Sequence, residues 1–367
     1  MKRPRFELPP EGGFWHDVRR EAHAHLAAQG DHRFADARMW AKAGALAAAT
    51  VGGYALALSA HELARFALGY VAFAWFAMLL AVNVLHDVAH GAMLRSKGWS
   101  RVLMRVGLLP LGIDADYWIA RHTQFHHSYA NVEGCDLDIE PNAFLRQVPS
   151  QPWRAHFRWQ HRYWLVVAAL SLPWVCWVFD WSDRLGRTPL RDEPVLRGAR
   201  GWALFVASKA AHFVLALGLP AWAMQANGIG IGAVAGVYLC AQMAASTFLV
   251  ASLLGTHWAR PEFFVVPADG RLAHSYDEHA FRTAVDWQPA PRALGYWMGG
   301  LNLHLTHHLF PTVAHRHLPA LAAIVERVAA AHGRPYRRLG WGDLWRAQQR
   351  FLRTMGEPPA GGAAGEP

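Results

Sequence analysis

The grouping of the apolar residues constrains this chain more than any other feature. Ala41 to Ala60 is a twenty-residue run with one charge, Lys42, near its edge. Phe66 to Leu85 is a second run of the same length, with Asn83 as its one clearly polar member. About 20 apolar residues in a helix match the ~30 Å hydrocarbon core of a bilayer, where every backbone polar group must be satisfied within its own segment. Both runs are therefore read as membrane helices. The short link from His61 to Arg65 makes them a hairpin. A second pair follows, roughly Trp202 to Met224 and Ile229 to Gly255. Lys209, in its first member, is near enough to the end to snorkel to the interface.

One further apolar segment, Tyr163 to Trp181, contains Pro173 and runs into DWSDR. Parity decides how it is read. Histidine-rich stretches lie after the second run, before Tyr163 and near residue 305. To meet, they must occupy one side of the membrane. Two hairpins return the chain to its starting side, whereas a fifth crossing would place the last stretch opposite the others. Tyr163 to Trp181 is thus expected to be interfacial or re-entrant. Charge agrees: Lys2, Arg19, Arg20, Arg95, Lys97, Arg101, Arg184 and Arg187 would face the cytoplasm, and the outer links carry only Arg65.

Composition closes off other classes. The chain is 53% hydrophobic with 18 Trp and a net charge of +9. The arginines sit in loops between apolar runs, a pattern that suits anionic lipid head groups and not nucleic acid. Cys135, Cys176 and Cys240 form no CxxC pair, so no rubredoxin-type site, iron–sulfur cluster, zinc finger or disulfide framework is expected. The N-terminus lacks an apolar h-region, so no signal peptide is expected.

The histidines carry the chemistry. HDVAH places His86 and His90 at the end of the second run, and the i, i+4 spacing points both imidazoles the same way on a helix. RHTQFHH holds His122, His126 and His127. His122 and His126 share a face, and His127 is turned aside, where it can serve a second metal. HLTHH repeats this logic with His304, His307 and His308. His257 stands alone at the end of the fourth run. A single HxxxH arises by chance on many helices. Three groups and a fourth histidine, each beside a membrane exit, do not fit chance, and polar residues at such depth are by default functional. Nine imidazoles exceed one tetrahedral zinc and suit two metals with about five ligands or fewer each.

HDVAH, HTQFHH and HLTHHLFP together resemble the three histidine boxes of the membrane fatty acid desaturase family, in its acyl-lipid and front-end branches. The resemblance runs from about Ala41 to Val325. HHSYANVEGCDLDIEP, with Asn131, Asp136 and Asp138, and GGLNLHLTHHLFP followed by HRHLPAL extend it. It implies two non-haem irons held by the nine histidines, His257 being the extra ligand from the fourth span. It further implies O2 as co-substrate, an acyl substrate carried on CoA, a carrier protein or a lipid, and stepwise removal of hydrogen from neighbouring methylenes. No flavin, haem or iron–sulfur motif is present, so a ferredoxin or b-type cytochrome is the expected electron donor. Departures from the family pattern are His304 where many front-end enzymes have Gln, the lack of an HPGG motif, and Leu253 where some members place Asn.

The expected fold is an all-α integral membrane protein. Four transmembrane helices in two hairpins would carry a cytoplasmic helical cap holding the di-iron site. Residues 1–40 form an interfacial N-terminal segment, 41–325 the membrane domain, and 326–367 a helix and a disordered tail. Asp87, Asp136 and Asp138 are candidates to accept the second N–H of a metal-bound imidazole, and Trp118 is a candidate lining of the acyl channel. His315 and His317 could do the same work as the aspartates or lie at the surface. His161, His212, His274 and His279 are read as unrelated, the last two in a polar loop. The rival readings are a lipid or carotenoid hydroxylase or ketolase on the same scaffold, and a histidine-rich metal transporter. The first two spans lack the mid-membrane polar path that a transporter needs.

Overall fold

The computed structural model describes residues 3–30 and 32–359. Lys2 and residues 360–367 of the expected disordered tail lie outside them. A short strand, β1 (Arg5–Glu7), precedes helix α1 (Phe14–Ala28). Helix α2 (Ala37–Leu58) starts where the Asp36 carboxylate accepts the Met39 N–H at 2.9 Å, satisfying one of the orphan donors of a first turn. Helix α3 (Leu63–Ala89) returns antiparallel to it. The two backbones touch: a Cβ added to Gly53 would lie 2.6 Å from the Phe73 nitrogen, and one added to Gly69 would lie 2.5 Å from that of Ala57. Small residues thus set the spacing of the hairpin, as they do where lipid offers no hydrophobic drive for helix pairing.

Helix α4 (Lys97–Gly107) turns Trp99, Val102 and Val106 outward, as suits a helix lying in a membrane surface. Helix α5 spans 115–129 and is π-helical over Ala120–His126. Then come α6 (Ala155–Arg184), α7 (Gly198–Gln225) and α8 (Ile231–Trp258). The remainder is β2 (Arg271–Ser275), α9 (Tyr276–Thr283), β3 (Asp286–Gln288), α10 (His304–Leu309), α11 (Leu318–Ala331), β4 (Arg338–Gly340) and α12 (Trp341–Gly356). β2 runs parallel to β1 and β4 parallel to β3, each pair forming its own two-stranded sheet.

Among the described residues five helices, α2, α3, α6, α7 and α8, are long and apolar enough to cross a membrane. Four were expected. The addition is α6, which absorbs Tyr163–Trp181 into an unbroken thirty-residue helix. Pro173 does not end it, and a π-helical turn at Val175–Phe179 follows directly. Its first turns are held by Gln160, whose side chain accepts the Arg146 N–H and donates to the Leu352 carbonyl, both at 2.9 Å. Its last turn carries Asp180 and Asp183 against Arg121 of α5.

The terminal segments pack against the rest of the chain. Phe14, Val18 and Ala22 of α1 share one core with Leu305 and Leu309 of α10 and with Leu321 and Val325 of α11. In α12, Phe351 stacks on Trp258, the residue after His257, at 5.3 Å.

Candidate metal centre

Three helix ends and one short helix converge. The nitrogens of His86, His90, His122, His127 and His307 lie within 4.8 Å of one another, and so do those of His126, His257, His304 and His308. The closest approaches are 3.1 Å between Nε2 atoms of His86 and His122, 2.8 Å between those of His257 and His304, and 3.2 Å between those of His304 and His308. Two imidazole nitrogens bound at right angles to one ion, with bonds of about 2.1 Å, would stand about 3 Å apart. His86 Nδ1, His90 Nε2, both nitrogens of His127, His304 Nδ1 and His307 Nε2 are buried without a hydrogen-bond partner. Buried polar atoms are costly to leave unpaired, and this many in one place fits a site built for metal. Burial, reinforced by neighbouring imidazoles, holds His90, His122, His127, His304, His307 and His308 well below the ordinary histidine range. They are neutral at pH 7, the form that ligates.

The partition into five and four differs in one respect from the helical expectation. His86 with His90 and His304 with His308 are i, i+4 pairs on regular α-helix, and each stays together. His122 and His126 have the same spacing yet fall in different groups, and His127 joins His122. The physical reason is the π-helical stretch of α5: with i→i+5 hydrogen bonds, the residue stacked over i is i+5. His122 and His126 still stack ring on ring at 5.9 Å, across the seam between the groups.

Carboxylates and carbonyls orient the rings. His126 Nδ1 lies 3.2 Å from Asp136 Oδ1 and 3.2 Å from Asp138 Oδ2. Asp136 is buried and also accepts the N–H groups of Asn131 at 2.8 Å and Asp138 at 3.0 Å. Burial pushes His126 down, but Asp136 and Asp138 outweigh it and lift the ring to about 9, so His126 keeps its Nδ1 proton and would release the Nε2 proton on ligating metal. Burial would raise Asp136, yet His126 and the N–H donors hold it below the usual carboxylate range. Asp87 is placed differently from expectation. It sits 3.9 Å from His86 Nδ1, beyond hydrogen-bond reach, and instead accepts from both the backbone N–H and Nδ1 of His315 at 3.0 Å. The ring of Trp118 stacks flat on His122 at 4.7 Å. His317 hydrogen-bonds the His32 carbonyl at 2.9 Å.

Other positioning residues lie outside every histidine box. The Thr283 carbonyl accepts from His257 Nδ1 at 2.8 Å. Asp286 accepts the Thr306 N–H at 3.1 Å, its hydroxyl at 2.5 Å and the Tyr336 hydroxyl at 2.7 Å, which fixes α10 between two box histidines. The Tyr276 hydroxyl stands 2.9 Å from the His127 carbonyl and 3.0 Å from that of His308, tying α5 to α10. None had a sequence signal beyond its polarity. His274 and His279 are not in a polar loop. They are buried on β2 and α9, stacked at 5.1 Å, and His279 hydrogen-bonds the Ala130 carbonyl next to the second box.

The family model for fatty acid desaturases matches residues 61–340. The chain belongs to the fatty acid desaturase family. It is similar to the sn-1 linoleoyl-lipid 6-desaturase of Arthrospira platensis, 24% identical over 88% of this chain and 87% of that protein. A protein of the same description from Synechocystis is 27% identical over 70% of each chain. The acyl-lipid (8-3)-desaturase of Physcomitrium patens is 26% identical over 77% of this chain, which spans 58% of that protein's length. The protein is thus a desaturase-type oxidoreductase acting in fatty acid metabolism, with histidine clusters that could hold metal.

Proposed function

We propose that this desaturase introduces a double bond into the acyl chain of a membrane lipid at a non-haem di-iron centre. O2 would be the co-substrate, and electrons would come from a ferredoxin or b-type cytochrome. The partition of nine histidines, seven buried and two half-buried, into groups of five and four nitrogens carries the reading. Imidazole suits iron, and no thiolate enters either group. His86, His90, His122, His127 and His307 would hold one ion, and His126, His257, His304 and His308 the other. Two irons so held would supply O2 activation strong enough to remove hydrogen from an unactivated methylene. The lipid-linked form of the substrate follows the names of the relatives.

The chain's own part is placement and exclusion. Asp136 and Asp138 keep a proton on Nδ1 of His126 and leave Nε2 free to ligate, and the Thr283 carbonyl does the same for His257. Trp118 shields one face of His122. Asp286 and Tyr276 hold α10 in register with α5, so the two groups keep their separation.

In this reading α2, α3, α7 and α8 cross the membrane, and the histidines face the cytoplasm. α6 does not take the chain across. It is tied at one end to α12 and at the other to α5, both of which flank the histidines. Expression in a host of known lipid profile, with double-bond location by mass spectrometry, tests the activity. Metal analysis of the purified protein should give close to two irons per chain. One metal or none in folded protein would overturn the di-iron reading.

A further inference from the structure

A cavity of about 500 Å³ opens beside the first turns of α2, with Leu303 and His315 in its wall. Arg38, Lys42, Arg292, Arg316 and Arg338 line it, against the single carboxylate of Asp36. Part of this charge is already engaged. Arg316 bonds the carbonyls of His32 at 2.7 Å and Phe34 at 2.9 Å and lies 3.5 Å from Asp36, and Arg338 lies 3.8 Å from Glu326. Arg38 and Arg292 have no ion pair or side-chain hydrogen bond among the described residues. Lys42 is 7% exposed; its Nζ lies 2.8 Å from the Tyr296 carbonyl and 3.3 Å from His315 Nε2, with no carboxylate in contact. The cavity is therefore a cationic bowl with two unmatched guanidinium groups above a buried ammonium.

Its surroundings say which anion reaches it. Trp40, Tyr296 and Trp297 beside the opening are 41%, 57% and 43% exposed. Exposed aromatic rings at the end of a membrane-length helix mark the head-group layer. A guanidinium pair matches phosphate oxygens by bidentate hydrogen bonds. We propose that this cavity binds the phosphate of an anionic phospholipid in the leaflet on the histidine side of the membrane. The floor of the cavity continues into the first histidine box, since His315 contacts Lys42 on one side and Asp87 on the other. A bound head group would thus brace the residue next to His86. The proposal rests on α2 being a membrane helix and is independent of the di-iron reading.

The test is native mass spectrometry of the full-length protein in detergent, titrated with short-chain phosphatidylglycerol. The wild type should retain one lipid per chain. The double variant Arg38→Gln/Arg292→Gln should bind it about tenfold more weakly or worse, since each basic residue near a lipid surface adds appreciably to anion affinity. Arg346→Gln, on the far face of α12, should match the wild type. Arg38→Lys/Arg292→Lys should restore much of the binding. Unchanged helical circular dichroism and a monodisperse elution certify the fold of each variant, and Arg292→Gln alone, at an exposed position, serves if the double variant does not fold. Equal lipid retention by the glutamine variants would overturn the proposal. So would inorganic phosphate binding as tightly as the lipid, which would make this a site for free phosphate. A third overturning result is unchanged lipid binding together with a raised KM for ferredoxin, which would make the surface a donor dock.

Discussion

Arg121 and His122 are consecutive residues that belong to two unlike buried clusters. On one side, Arg121 bonds Asp180 at 2.9 Å and Asp183 at 2.6 Å. Lys209 bonds Asp180 at 2.6 Å and the carbonyls of Gly112 and Cys176 at 2.6 and 2.9 Å. Asp180 also accepts the Asp114 N–H, and Asp183 the Thr188 hydroxyl. Two cations meet two anions, and α5, α6 and α7 are joined with every charge matched. On the other side, nine histidines bring nitrogen against nitrogen, and His126 alone among them has carboxylates within hydrogen-bond reach, those of Asp136 and Asp138. The charge cluster is complete as the chain folds. The histidine cluster is one that could hold metal. Under the proposed function, the difference assigns metal dependence to one site and structural dependence to the other.

Ligand loss is the severest way to probe that contrast. His304→Ala, and likewise any of the other box histidines, should lower desaturation by about a thousandfold or more and release metal, since even outer partners of a metal ligand are worth 10–100-fold. Chelation should abolish product in the lipid profile yet leave helical circular dichroism intact, because the charge cluster and the α2–α3 packing do not use the metal. Loss of helicity on chelation would erase the distinction between the clusters.

Arg121→Met attacks the other side. It leaves Asp180 and Asp183 buried with one cation fewer, a change that typically costs about 3–5 kcal/mol. Thermal unfolding in detergent should fall steeply while freshly purified protein still carries metal. An unchanged melting temperature would mean that the network contributes nothing to holding α5 on α6. Asp136→Asn probes the border with less force. His126 would keep an oxygen acceptor without its charge, and metal affinity at the four-histidine group should fall roughly 10–100-fold in a competition titration. The five-histidine group should be unaffected. Equal loss at both groups would show that the two sites do not fill independently.

The sequence carried the histidine site further than it carried the fold around it. HxxxH spacing on α-helix predicted that His86 joins His90 and that His304 joins His308, because four residues on such a helix return to nearly the same face. It misassigned His126 because a π-helical stretch follows from tertiary packing and leaves no local mark. Asp87 lies within a box and looked like a partner for His86; the His315 ring, more than two hundred residues away in sequence, takes it instead. Asp180 and Lys209 were read as the end of an interfacial segment and a snorkelling lysine. Their mutual contact needs α6 and α7 side by side, which no periodicity encodes. α6 itself satisfies the length and composition of a span, and only the ties at its two ends speak against a crossing.

Asp114 sits at the edge of the charge cluster and gives the finest test. It caps α5 by accepting the N–H groups of Asp116 and Tyr117 at 3.1 Å, and its own N–H goes to Asp180. Burial pushes its carboxyl up to about 6, with Asp180 and Asp116 adding to the rise. Here the folded value lies above the unfolded one, so the fold disfavours the charged form. The penalty is absent below about pH 4, grows as pH rises from there to about 6, and is constant above. Asp114→Asn keeps a good capping oxygen and removes the charge. It should therefore stabilise the protein at pH 7, by about 1–3 kcal/mol. The gain should vanish towards pH 4 in a series of thermal melts. A variant that is less stable at pH 7, with a difference that does not change between pH 4 and 8, would show Asp114 to be a matched member of the charge cluster.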